Sequence, residues 1–336
     1  MAKRIAVIGA GTLARLRTRA LLSTKKVIVC GVAARTLASA REFGKEIHCD
    51  SCFNDFRELI KTAPDAVLIE VPHGVQDEIV LWVLKQGWHV LIGGCLATTF
   101  ATAQKIRQIA ARKRLVVETG YEARYSAMWA AAKRQITGGI LGQIVAVRSI
   151  ALWNGAPTSW YYQQQSSGGM PLTHMTYCFI SPIRWILGEP LCVSAFANRI
   201  KHTGRGLIQQ ETCVANLLFG NNVLGTMTAS FIKPGDVPGW SVMLLGTQGA
   251  LELFPEQNTL TLYRDKDKET QDFSSEQDPF EVQAETFIAA LGGRNECRNT
   301  PRETAADVRI AEAIVTACRK KATVWLGRKT PGGGVD

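Results

Sequence analysis

The segment Gly9-Ala10-Gly11-Thr12-Leu13-Ala14 is a G-x-G-x-x-A turn, and its residue types suit the holding of a pyrophosphate. Gly9 permits the tight turn. Gly11 lets the backbone approach the phosphates, and Ala14 lets the next helix pack on the strand. Thr12 and Leu13 open that helix, whose first N–H groups offer donors to an anion. A second signal is Ala33-Ala34-Arg35-Thr36. Sites for NAD place Asp or Glu here to accept from the ribose 2′-hydroxyl. This chain has no carboxylate there. Arg35 offers a charge-assisted bond to a 2′-phosphate, and Thr36, after Ala34, offers a hydroxyl. The preferred cofactor is therefore NADP(H), with NAD(H) as the alternative. A solvated arginine at a helix start is the plainer account of Arg35.

Hydride transfer to a carbonyl or imine also needs a proton source. His174 has the right ordinary pKa, and Tyr177 lies three residues on, at helical spacing. Pro72 and His73 follow an apolar run that ends where ligands of open α/β sheets collect, and they are expected to shape the nicotinamide end. Gly93 and Gly94 end the next such run. Tyr121 and Arg124 follow the last one, and Arg124 suits an anionic group. Trp160 and Tyr162 are candidates to line a substrate pocket. Each has a structural alternative: a hydrogen-bonded histidine, a core aromatic or a solvated arginine. No His/Cys/Asp/Glu cluster with metal spacing lies near these positions, so no metal is predicted. Cys49 and Cys52 form a C-x-x-C with no second pair; an ordinary loop is the favoured reading, with zinc or redox use as the alternative.

The elements that must position these residues follow from apolar periodicity. Strands are expected at Arg4–Ile8, Val27–Ala33, Ala66–Val71, His89–Ile92 and Leu115–Glu118, alternating with helices at Arg15–Ser23, Leu37–Gly44, Gln76–Gln86 and Phe100–Lys113. That alternation predicts an N-terminal Rossmann domain, a doubly wound parallel sheet, over residues 1–120. From residue 121 to 329 the pattern becomes α+β, with a large, mostly antiparallel sheet. Its strands are expected at Ile144–Leu152, Leu191–Ala197, Thr212–Phe219, Val223–Phe231, Trp240–Leu245, Ala250–Phe254 and Thr259–Tyr263. Its helices are expected at Met128–Thr137, Thr173–Leu187, Phe280–Leu291 and Glu303–Lys321. Residues 330–336 read as a flexible tail.

The 336 residues carry a net charge of +10 and nine scattered cysteines. An odd, scattered set reads as reduced thiols in a cytoplasmic protein. No segment approaches membrane-spanning length. The basic residues are dispersed, which favours an anionic small molecule over nucleic acid as partner.

The order of elements and several strings resemble the glucose–fructose oxidoreductase/inositol dehydrogenase/rhizopine-catabolism (GFO/IDH/MocA) family. They are Gly9-Ala10-Gly11, Val71-Pro72-His73, Gly87-Trp88-His89-Val90-Leu91, Gly139 through Ile144, Gly168-Gly169, Arg184 through Pro190, and Leu245 through Gly249. The resemblance implies an NADP-preferring α/β oxidoreductase that assembles as a homodimer or homotetramer. It also exposes departures. The family carries Glu-Lys-Pro where this chain has Gly93-Gly94-Cys95, so the lysine is absent and space is expected over the glycines. An Asp-x-Gly-x-His segment is replaced by His174-Met175-Thr176-Tyr177-Cys178, which puts His174 at the aspartate position. Asn154 through Gln165 and Met170-Pro171-Leu172 resemble the cyanobacterial-type biliverdin reductase branch, but Cys178 stands where that branch has arginine. The expected function is NADPH-dependent reduction of a carbonyl, imine or conjugated acceptor on a small anionic molecule. The alternatives are a dinucleotide-binding protein without net redox turnover and a biliverdin reductase-like enzyme.

Overall fold

The computed structural model describes residues 2–294 and 297–327, so the expected tail at 330–336 lies outside the described residues. The chain forms two compact units. The first comprises residues 2–129, 166–168, 276–294 and 297–308; the second holds 130–165, 169–275 and 309–327. The expected boundary at 120 therefore needs correcting, because a late stretch of chain returns to the first unit.

The first unit contains β1 (Lys3–Ile8), α1 (Thr12–Ser23), β2 (Val27–Ala33), α2 (Leu37–Glu46), β3 (Cys52–Phe53), β4 (Ala66–Ile69), α3 (His73–Gln86), β5 (His89–Ile92), α4 (Phe100–Lys113) and β6 (Val117–Thr119). The six strands pair in parallel in the order β3-β2-β1-β4-β5-β6. Ile5–Ile8 and Ala66–Ile69 are wholly buried, as expected for strands covered on both faces. The chain leaves β1 for β2 on one side and later returns to place β4 on the other. In open α/β sheets ligands collect outside the carboxyl ends of the strands at such a reversal, here β1 and β4. The returning stretch brings its Ala284, Phe287, Ile288 and Leu291 into one core with Ile5, Val7, Ala14, Leu21 and Leu68.

The second unit begins within α5 (Ala127–Thr137) and continues through β7 (Ile144–Leu152). α6 (Gln164–Ser167) and a π-helix (Pro171–Ile180) lead to α7 (Ser181–Leu187). Then come β8 (Cys192–Asn198), β9 (Thr212–Leu218), β10 (Leu224–Ser230), β11 (Trp240–Gly246), β12 (Gly249–Phe254), β13 (Thr259–Arg264) and β14 (Asp267–Asp272). The returning helix is α8 (Pro279–Leu291); α9 (Pro301–Lys320) and β15 (Val324–Trp325) follow. Nine strands pair in the order β14-β13-β12-β11-β7-β10-β9-β8-β15. Only the β7–β10 pair is parallel. Sequence periodicity misses β14, whose residues are charged and mostly exposed; its pairing with β13 holds it in place.

The single helix expected at Thr173–Leu187 is also corrected. Its first half is a ten-residue π-helix and its second half α7. Wider i→i+5 turns are frequent at functional sites, and they remove the three-residue stacking assumed for His174 and Tyr177.

Candidate functional site

In the first unit the turn after β1 is built for close backbone approach. Gly9 adopts φ +116°, and a β-carbon there would fall on the Glu70 carbonyl oxygen. Its N–H donates to the Ala33 carbonyl oxygen at 2.8 Å, which fixes the turn against the end of β2. Gly11 caps α1 with no side-chain hydrogen bond, and no acid occupies the first turn. A β-carbon on Gly11 would meet nothing within 4 Å, and Gly11, Thr12 and Leu13 are exposed. Open space, unspent helix-terminal donors and no negative charge fit a pyrophosphate.

At the end of β2, Ala34 is half-buried while Arg35 and Thr36 are exposed. Arg35 pairs with no carboxylate among the described residues. Thr36 has a second duty: its Oγ1 caps α2, accepting from the Ser39 N–H at 3.1 Å. Arg35 is thus an exposed cation at the end of β2.

Sequence reasoning missed the polar hub of this unit. Arg17 of α1 is buried, and its Nε donates to Glu70 Oε1 at 2.6 Å, beyond the end of β4. Its Nη1 donates to Gln283 Oε1 of α8 at 2.5 Å, and its Nη2 donates to the Gly120 carbonyl oxygen at 2.7 Å. Gln283 Nε2 continues to Glu118 Oε1 at 3.0 Å. Glu118 also accepts from the Tyr125 hydroxyl at 2.8 Å. Burial pushes the Glu70 carboxyl above its usual range, against the pull of Arg17. One signal was in the sequence: Glu70 interrupts an otherwise apolar strand run.

The space expected over Gly93 and Gly94 is already filled. A β-carbon at Gly93 would overlap the Glu70 carboxylate, and one at Gly94 would lie 3.1 Å from His73 Nε2. His73 opens α3 after Pro72 and is buried. Its Nδ1 lies 3.1 Å from the Ser167 carbonyl oxygen, so Nδ1 carries the proton and Nε2 the lone pair. Cys95 Sγ lies 3.6 Å from Nε2, and burial drives that thiol far above its usual pKa, so the sulfur stays protonated. Burial lowers the His73 pKa to about 4.

This gives a pH dependence with a definite sign. A histidine whose folded pKa is depressed stabilises the fold fully above its unfolded pKa of about 6.5 and loses that contribution as pH falls toward 4. Between pH 6.5 and 5 the loss is about 2 kcal/mol. Denaturant unfolding of wild type and His73→Gln at these two pH values checks it. The variant's stability should fall less by that amount, and equal slopes would refute the assignment.

Two substrate candidates belong to the first unit's interior. Tyr121 is buried, and its carbonyl oxygen accepts from Asn299 Nδ2 at 2.7 Å. Arg124 is buried too, donating to the Arg298 carbonyl oxygen at 3.1 Å and pairing with Glu303 at 3.5 Å. Between them, Asn299, Arg298 and Glu303 thus contact both residues.

In the second unit, His174 sits half-buried on the π-helix with Nδ1 2.9 Å from Thr173 Oγ1. Its ring packs among Trp153, Phe231 and Tyr161 at centroid distances of 4.5, 4.8 and 5.4 Å. Tyr177 packs instead on Trp240 at 5.7 Å, so the two candidate proton donors have different surroundings. Tyr162 is fully buried, and its hydroxyl donates to Glu211 Oε1 at 3.2 Å. Tyr161, not Tyr162, is the tyrosine against His174. Trp160 is exposed and packs edge-on against Tyr161. Among the described residues no group of three or more His, Cys, Asp or Glu is placed to hold a metal ion.

Residues 3–121 match the model of the oxidoreductase family's NAD-binding Rossmann fold, and residues 133–326 match that of its C-terminal alpha/beta domain. The chain belongs to the GFO/IDH/MocA oxidoreductase family. Its curated relatives in that family are distant. D-glucoside 3-dehydrogenase of Escherichia coli is 23% identical over 62% of this chain and 60% of its own length. Rhizopine catabolism protein MocA of Rhizobium meliloti is 24% identical over 74% of this chain and 77% of its own. The chain spans less than two thirds of the first of these, and 45% of a levoglucosan dehydrogenase from Pseudarthrobacter phenanthrenivorans. Among solved structures, a levoglucosan dehydrogenase in complex with NADH and levoglucosan superposes with a TM-score of 0.88, 18% identity and 98% and 100% coverage of the two chains. GenD2 from gentamicin A biosynthesis, in complex with NAD, gives 0.85 at 18% identity, covering 97% of each chain. At such identities the likeness to solved structures is one of fold. The GFO/IDH/MocA membership gives this chain the family's NAD-binding Rossmann fold and its C-terminal alpha/beta domain.

Proposed function

We propose that the chain is an NADPH-dependent reductase of a carbonyl, imine or conjugated acceptor on a small anionic molecule. The observation that carries the cofactor choice is Arg35, exposed and without a carboxylate partner among the described residues, at the end of a strand bonded to the phosphate turn. The bound nicotinamide would supply a hydride to the acceptor carbon. Gly9, Gly11, Thr12 and Leu13 would hold the pyrophosphate, and Arg35 the 2′-phosphate. His174 is the proposed proton donor to the acceptor's heteroatom, with Tyr161 and Trp153 orienting its ring. The net charge of +10 favours an anionic substrate. Incubation with NADPH and a panel of sugar-derived ketones, imines and linear tetrapyrroles tests this reading. It predicts acceptor-dependent NADPH oxidation that His174→Ala slows by about 10²-fold or more. Oxidation that no acceptor stimulates would refute it.

A second reading, dinucleotide binding without net turnover, draws on the neutral His73 imidazole standing against Gly94, where the family's lysine is absent. Tight NADPH binding with no turnover on any acceptor would favour it.

We also propose a homodimer or homotetramer. Leu224, Leu245, Ile150 and Val214 are exposed along β7, β9, β10 and β11 of the large sheet. Light scattering should report a multiple of the 36.8 kDa chain, and Leu224→Arg should reduce it to the monomer. A wild-type monomer would refute this. The nine free thiols suit a reducing, cytoplasmic compartment.

A further inference from the structure

The ends of β1, β4, β5 and β6 present an unusual distribution of side chains. Gly9, Gly93 and Gly120 follow three of them, and Glu70 follows the fourth. Each glycine makes room for the same pair. A β-carbon at Gly9 would fall on the Glu70 backbone, one at Gly93 on the Glu70 carboxylate, and one at Gly120 would lie 2.5 Å from Arg17 Nη2. Glu70 is held by Arg17, whose other nitrogens reach the Gly120 carbonyl oxygen at 2.7 Å, that of Gly93 at 3.4 Å, and Gln283 at 2.5 Å. Both side chains are at least nine-tenths buried. One ion pair therefore ties the helix after the phosphate turn to three strand ends.

We propose that Glu70 is the positioning residue of the cofactor site, supplying from the end of β4 the carboxylate for which Gly93 leaves room at the end of β5. This rests on the reading that a nicotinamide dinucleotide lies across these strand ends. Through Arg17, Glu70 sets where Gly93 and Gly120 stand relative to the phosphate turn. A strut of this kind fixes ligand geometry without touching the ligand's reacting atoms.

The test exchanges the two residues. Glu70→Gly, Gly93→Glu and the double exchange Glu70→Gly/Gly93→Glu are compared with wild type. Unfolding of the cofactor-free protein, NADPH affinity by calorimetry and the emission of bound NADPH are read in each. Each single variant should unfold earlier and lose about tenfold or more in NADPH affinity. The exchange should regain wild-type unfolding, affinity within about threefold, and the wild-type emission. Glu70→Gln keeps the shape and one bond to Arg17, so it should bind within about threefold of wild type even if the single variants do not fold. The role is overturned if the exchange is no better than the worse single variant. It is also overturned if unfolding recovers while affinity and emission do not, for then Glu70 only props the fold. If wild type binds NADPH and all variants bind alike, Glu70 loses its role and the cofactor reading stands. If wild type binds no dinucleotide, the cofactor reading falls and takes this role with it.

Discussion

Replacing Arg17 with methionine should lower stability by about 3–5 kcal/mol, the usual cost of removing one partner of a buried ion pair. The stem volume is kept, so the loss comes from charge and hydrogen bonds. Glu70 loses its partner at 2.6 Å, and Gln283 Oε1 and the Gly120 carbonyl oxygen lose their donors. An uncompensated carboxylate raises its pKa further. A group whose folded pKa lies above its unfolded value stabilises below the unfolded pKa and loses that contribution as pH rises. The deficit of Arg17→Met should therefore be largest near pH 7 and shrink on acidification toward about pH 4.3. Urea unfolding at the two pH values measures it. A deficit under about 1 kcal/mol at neutral pH would show that the hub is not integral to the fold.

Gly11→Asp should separate binding from folding. Gly11 has extended backbone, φ −79° and ψ −179°, and sits at the N-cap of α1 with open space around it. Aspartate is among the best N-cap residues, so stability should hold or rise by up to about 1 kcal/mol. The same carboxylate would stand where the pyrophosphate is expected. Like charges brought together cost several kcal/mol, so dinucleotide affinity should fall about 100-fold or more. Gly9→Ala should behave differently. Its φ of +116° and the overlap with Glu70 strain any side chain, so stability itself falls by about 1–3 kcal/mol or more. Thermal unfolding and calorimetric titration of both variants decide the matter. Unchanged NADPH affinity in Gly11→Asp would remove the phosphate turn from the account.

The Rossmann unit was legible in the sequence because its signals are local. Ile5–Ile8, Ala66–Ile69 and Val90–Ile92 are short apolar runs of the kind a doubly covered parallel sheet buries, and their alternation with helical stretches marks them as strands. The glycine turn is equally local. What stayed hidden depends on distance along the chain. Gln283 reaches Arg17 across 266 residues, and nothing near either residue announces the pairing. For the same reason the return of α8 to the first unit is not legible in the local pattern. Filling of the space over Gly93 and Gly94 required knowing that β4 and β5 are neighbours, which puts Glu70 and His73 beside the missing side chains. The π-helix escaped because apolar spacing reports a buried face and not the hydrogen-bond step. Its effect is local but consequential: His174 falls among Trp153, Tyr161 and Phe231, while Tyr177 is turned to Trp240. Tyr161 and Tyr162 are adjacent, so composition alone could not choose between them; the bond from Tyr162 to the buried Glu211 chooses.

We propose that Arg35 makes this an NADP(H) site. Calorimetric titration of the wild-type protein with NADPH and with NADH tests it most directly. A charge-assisted bond contributes about 1.5–3 kcal/mol, so NADPH should bind about 10- to 100-fold more tightly than NADH, and Arg35→Asp should reverse the order. Equal affinities, or tighter NADH binding that Arg35→Asp leaves unchanged, would contradict it.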